Sequence, residues 1–180
     1  MASPNEVSAA RERVLSTPSC LPAHPKAHVP TMRKQTLMLF DLSHVVVRAK
    51  PNLKRYDVPN RCRVIEGNFF ETVPSGADAY LLRHVLHDWT SEQCLQILDH
   101  CWKVIPKHGE LLVVECVILA GNDRPSSKDF DVTMMVLPGG LERTEIEFRT
   151  LFKQADFELT AVSRTSAMVS VNEGKPIPTA

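Results

Sequence analysis

The residues best suited to chemistry in this chain gather in three places. The first is an apolar run at 79–82, followed by Arg83, His87, Asp88 and Trp89. The other two are glutamates: Glu115, which closes the apolar run 111–114, and Glu142, just past the pair Gly139-Gly140. A free imidazole titrates near ~6.5 and a phenol, judged by tyrosine, near ~10. Two carboxylates brought up to His87 would orient its ring and stabilise its protonated form. Such a base would take a hydroxyl proton only as the oxygen attacks an electrophile. A histidine behind an apolar stretch is by itself more often a structural residue. Glu115 and Glu142 are what move His87 toward a catalytic role.

Further polar residues close other apolar runs. Asp41 follows 37–40, Asn68 follows the alternating run 61–66, and Arg83 follows 79–82. In open α/β sheets, ligands sit beyond the carboxyl ends of the strands. A carboxylate there suits the two hydroxyls of a ribose. An amide such as Asn68 can accept from an adenine amine, and Phe69 offers a ring for stacking. Singly, each is a helix cap or loop residue; as an ordered series they outline a nucleoside pocket. No cluster has metal-ligand spacing, so no metal is expected.

Elements must carry these groups. The runs 37–40, 61–66, 79–82 and 111–114 read as strands, and residues 42–49 as a short helix. Thr90 with Gln93, and Thr144 with Glu147, are capping boxes, each opening a helix. The first repeats Cys94, Leu98, Cys101 and Ile105 on its inner face, until Pro106 and Gly109 stop it. The second presents Phe148, Leu151, Phe152 and Ala155. Residues 128–136 read as another helix, with Phe130 and Met134 on one side. Two closing strands, 157–163 and 167–171, must pair antiparallel because no crossover fits between them. Ser3 and Glu6 form a further capping box, predicting a helix over 4–15. Prolines 18, 22, 25 and 30 then mark a mobile linker. The organisation is a leader (1–30), a catalytic domain (31–172) and a tail (173–180). Strands alternating with helices and a closing hairpin indicate an α/β fold, a sheet with helices on both faces.

Composition excludes several classes. The chain has 180 residues, 43% of them hydrophobic, enough for one core-bearing domain. Its formal net charge is +0, which gives no electrostatic reason to expect nucleic acid or an anionic membrane as a partner. No apolar run is long enough to span a bilayer. The five cysteines (Cys20, Cys62, Cys94, Cys101, Cys116) are odd in number and form no CxxC. They read as reduced thiols of a cytoplasmic protein.

Five short signatures then occur in a telling order: Phe40-Asp-Leu-Ser-His-Val45, Gly67-Asn-Phe-Phe70, Leu86-His-Asp-Trp89, Val114-Glu-Cys116 and Gly139-Gly-Leu-Glu-Arg-Thr144. With this set, the chain resembles S-adenosylmethionine-dependent small-molecule O-methyltransferases, the plant caffeate/flavonoid, acetylserotonin and bacterial polyketide-tailoring group. The resemblance covers about 32–171. It implies a Rossmann-like methyltransferase sheet and S-adenosyl-L-methionine as cofactor. It also implies methyl transfer to a hydroxyl of a small aromatic or polyketide-like natural product, without a metal. By the same resemblance His87 is the general base, flanked by Glu115 and Glu142. Asp41 holds the ribose, Asn68 and Phe69 meet the adenine, Arg83 lies near the cofactor, and Met134 lines the acceptor pocket. Asp88 and Trp89 either support the site or serve as cap and packing residue.

The chain departs from the family pattern in two respects. The family's first strand and its glycine-rich turn have no match, since the first of the seven glycines is Gly67. The helical domain through which members form homodimers is also unmatched. The missing strand would lie between the 37–40 and 79–82 strands, which are expected either to pair directly or to leave a gap. A catalytically silent remnant with little cofactor binding is therefore the alternative to an active transferase.

Overall fold

The computed structural model describes residues 10–12, 36–55, 62–118 and 141–178. Its strands are β1 (Ala10–Glu12), β2 (Leu37–Asp41), β3 (Cys62–Glu66), β4 (Ala79–Arg83), β5 (Glu110–Ile118), β6 (Arg143–Thr144), β7 (Phe157–Arg164) and β8 (Val169–Pro176). The helices are α1 (Ser43–Arg55), α2 (Ser91–Val104) and α3 (Glu145–Gln154). The sheet runs β3-β2-β1-β4-β5-β8-β7, with β6 beside β5.

Strand direction decides where the polar residues go. β3 is parallel to β2, and β5 is parallel to β4. β1 is antiparallel to both β2 and β4, so those two also run the same way. Four strands thus end at one edge. Arg11 faces Leu39 on one side and Leu81 on the other. Two residues further along, Asp41 is level with Glu66, and Arg83 with Val114. Neighbouring strands lie about 4.8 Å apart, so Asp41 and Arg83 stand about 10 Å apart across the slot that β1 occupies.

Alternation along β2 assigns the helices to faces. Leu37 packs with Leu53 of α1. Phe40, of opposite parity, joins the cluster that contains Ile97 and Leu98 of α2 and Phe148 and Phe152 of α3. Helices therefore cover both faces. Both capping boxes form: Thr90 accepts from Gln93 N–H, Thr144 accepts from Glu147 N–H, and each N3 side chain bonds back. Among the described residues no helix is long and apolar enough to cross a membrane.

Four expectations change. Residues 10–12 are strand rather than helix, and they fill the central slot, so β2 and β4 neither pair directly nor leave a gap. Open strand edges need only N–H and C=O groups, which any extended segment carries. α1 continues through Pro51 to Arg55 instead of stopping at 49. Pro51 and Val47, the two positions where proline disturbs a helix, are both exposed, so the carbonyl that loses its partner lies on the solvent side. β5 extends to Ile118, which puts Glu115 inside a strand, on the same face as Leu111 and Val113. β8 runs to Pro176, so residues 173–176 are strand and not tail. Its buried face is Ser170, Asn172 and Gly174, which carry no apolar pattern to read. The linker prolines and the 128–136 helix, Met134 included, lie outside the described residues.

Candidate active site

The chain leaves β4 through a sharp turn. His84 takes φ 51, a left-handed value that few residues other than glycine adopt, and its N–H donates to Val114 O at 3.1 Å. The turn then folds onto a buried carboxylate. Glu115 Oε1 accepts from the N–H groups of Val85 (2.8 Å) and Leu86 (2.9 Å). These bonds hold the single 3-10 turn Leu86–Asp88 against β5, and that turn carries His87.

His87 meets three carboxylates. Its Nδ1 lies 2.8 Å from Glu142 Oε1 and 3.4 Å from Glu115 Oε2, and its Nε2 lies 3.6 Å from Asp88 Oδ1. Glu115 and Glu142 are 0% and 1% exposed. Burial opposes charge on the His87 ring, but the hydrogen bond to Glu142 and the charges of Glu115 and Asp88 outweigh it and raise the ring to about 9. Burial pushes Glu115 up to about 7, against the pull of His87 and two main-chain N–H groups. His84, half-buried, is lowered to about 4 by desolvation and then by the charges of His87 and Arg83. At neutral pH His84 is therefore neutral while its neighbour is charged. Once the ring is neutral, the Glu142 contact favours the tautomer with its proton on Nδ1, which leaves Nε2 as the basic nitrogen.

The catalytic group expected from sequence is thus brought together: His87, Glu115 and Glu142 are in mutual reach. The cofactor group is arranged along the sheet edge. Asp41 is 3% exposed, and its Oδ1 accepts from Leu42 N–H at 2.8 Å at the start of α1. Asn68 Oδ1 accepts from Phe70 N–H at 3.0 Å, and its Nδ2 donates to Glu71 Oε1 at 3.2 Å. Phe69 turns inward: its ring is 5% exposed and meets Phe70 and Trp89 edge-on at 4.9 and 6.1 Å. It therefore presents little face to a base. Trp89, also buried, takes the packing reading. Arg83 is half-buried at the end of β4.

Sequence reasoning passed over three contributors. Gln96 Nε2 donates to Phe70 O (2.8 Å), and His100 Nδ1 lies 2.9 Å from Phe69 O, so α2 grips the turn that carries Asn68. Their one-turn spacing on α2 was the available signal. Arg143 is 2% exposed and binds the main chain on both sides of His87. A cation directly behind Glu142 was its only mark in the sequence. Donor atoms of His84, His87 and Glu115 lie within 4.8 Å of one another, a spread that a cation could gather. The Nδ1 of His87, however, is already engaged by Glu142.

A family profile described as an O-methyltransferase domain matches residues 23–158. The chain belongs to the O-methyltransferase domain family. This O-methyltransferase domain is 40% identical over 140 residues to phenazine O-methyltransferase PhzM of Lysobacter antibioticus, a match that takes in 78% of this chain and 41% of PhzM. It is similar to CalO1, a methyltransferase in calicheamicin biosynthesis solved with S-adenosylhomocysteine bound (TM-score 0.71, 39% identity, 77% of this chain and 41% of that one). It is also similar to NcsB1, an O-methyltransferase from neocarzinostatin biosynthesis solved with S-adenosylmethionine and 2-hydroxy-5-methyl naphthoic acid (TM-score 0.69, 30% identity, 78% and 41%). The chain spans about two fifths of the length of these relatives. The family's cofactor is S-adenosylmethionine. The described residues suit its nucleoside half: a buried carboxylate, Asp41, closes β2 at the edge where the parallel strands end, and Asn68 sits in the turn beyond β3. The described glycines are Gly67, Gly76, Gly109 and Gly174, the first of them directly after β3.

Proposed function

We propose that this O-methyltransferase domain moves a methyl group to a hydroxyl of a small aromatic or polyketide-like natural product, with His87 as general base. The observation that carries the proposal is the His87–Glu142 contact of 2.8 Å beside buried Glu115. S-adenosylmethionine, when bound, supplies a methyl carbon made electrophilic by its sulfonium. Asp41 holds the ribose and Asn68 the adenine amine, with Phe69 behind the turn and Arg83 across the slot. His87 Nε2 accepts the hydroxyl proton as the oxygen attacks. Glu142 keeps the ring in the tautomer that allows this, and Glu142 and Glu115 stabilise the imidazolium that results. NcsB1 is solved with hydroxylated naphthoic acids, once beside S-adenosylmethionine and once beside S-adenosylhomocysteine, which supports an aromatic hydroxyl here.

One observation favours the alternative, a silent remnant. β1 runs antiparallel to its neighbours, with Ala10 paired to Leu82 and Glu12 to Tyr80. Its carboxyl end therefore points away from the edge where Asp41 and His87 lie, the reverse of the direction in which β2 and β4 deliver their ends to that edge. Calorimetric titration with S-adenosylhomocysteine separates the readings. Binding that disappears in Asp41→Ala supports the transferase, whereas no heat at millimolar ligand supports the remnant. In a methyl-transfer assay His87→Ala should lower turnover by about 10²–10⁴-fold, and unchanged turnover would remove His87 from the mechanism.

A further inference from the structure

Arg143 joins every segment that builds the His87 site. Its Nη1 donates to Leu86 O at 2.9 Å and to Leu141 O at 3.3 Å, and its Nη2 donates to Trp89 O at 3.1 Å. Leu86 directly precedes His87, Trp89 closes the turn, and Leu141 directly precedes Glu142. The return bond runs from Leu141 N–H to His87 O at 2.8 Å. Arg143 is also paired with Val117 in the β5–β6 ladder, two residues past Glu115. A buried guanidinium is a planar, permanently charged fork with fixed donor directions. Bound to carbonyls on both sides of the contact, it sets the distance between the backbone of the turn and the backbone of 141–143. The Cys94 thiol supports the same two carbonyls, at 3.2 Å from Leu86 O and 3.6 Å from Trp89 O.

We infer that Arg143 is a positioning residue, whose guanidinium holds the His87 turn and the Glu142 segment in the one register that brings Nδ1 against Oε1. The inference rests on the proposed base role of His87. The groups facing that ring are Asp88 on its own turn, Glu142 just ahead of β6, Glu115 on β5 and His84 directly after β4. Charge alone predicts the opposite effect: removing a nearby cation would favour a charged ring and raise its titration point. Losing the alignment would lower it.

The test is an NMR titration of the His87 imidazole in the full 180-residue chain, in wild type and in Glu142→Gln, Arg143→Lys and Arg143→Met. Glu142→Gln should lower the midpoint from about 9. Arg143→Lys, which keeps the charge but not the fork, should lower it by about half a unit to one unit, and Arg143→Met by more. Adding Arg143→Lys to Glu142→Gln should bring no further fall, because the contact being aligned is already gone. A midpoint unchanged in Arg143→Lys, or raised in Arg143→Met, overturns the inference even if both variants melt earlier. Should Arg143→Met fail to fold, Arg143→Lys alone decides. If Glu142→Gln leaves the midpoint in place, the base reading itself fails, a result distinct from a failure of Arg143 alone.

Discussion

His87 keeps its proton to about pH 9 because two buried glutamates and Asp88 face it. A general base acts through its neutral form, so turnover should rise about tenfold per pH unit and level off above about 9. Glu142→Gln should move that limb to lower pH while lowering the plateau. A wild-type profile flat between pH 7 and 10 would show that His87 does not govern the rate. The same proton bears on stability. The folded pKa of about 9 lies above the ordinary 6.5, so the stabilisation is fully present below 6.5 and is lost as pH rises through about 9. Its size is about 3 kcal/mol. Glu115, raised to about 7 from 4.5, acts in the same direction at lower pH: its contribution is complete below 4.5 and lost as pH rises through about 7. Urea unfolding at pH 6 and pH 9.5 should therefore show an advantage of wild type over His87→Gln at the lower pH that largely disappears at the higher.

Elements whose ends are marked by side chains were readable from sequence. α2 and α3 begin where Thr90 and Thr144 fall, because a hydroxyl three residues ahead of Gln93 or Glu147 satisfies N–H groups within its own turn. Thr90→Ala should cost about 1 kcal/mol in equilibrium unfolding. β8 was only half legible. A Cβ on Gly174 would lie 2.7 Å from Phe152 Cε2, and Asn172 Nδ2 donates to Val113 O at 3.1 Å inside the sheet. Both residues look like tail or turn until Phe152 and β5 stand opposite them. Gly174→Val should destabilise by about 1–3 kcal/mol through overpacking. A neutral result in the same unfolding assay would mean that residues 173–176 do not dock.

The assembled sheet depends on its weakest member. β1 supplies three residues between two five-residue strands, and it meets β2 at the single register pair Arg11↔Leu39. Proline at position 11 removes one N–H from the centre of the sheet, so Arg11→Pro should destabilise by about 1–3 kcal/mol and speed amide exchange in β2 and β4. Unchanged exchange would show that other backbone fills the slot. By itself the sequence determined the family, the order of the main strands and helices, and the identity of the His87, Glu115 and Glu142 group. Those features are written in apolar runs, caps and short signatures that a few neighbouring residues define. Only the tertiary structure decided that Glu142, 55 residues away, takes His87 Nδ1, that Arg143 reaches carbonyls 54 and 57 residues back, and that 10–12 lie in the sheet. Such contacts join distant parts of the chain, largely through main-chain groups that every residue carries alike, so no local pattern encodes them.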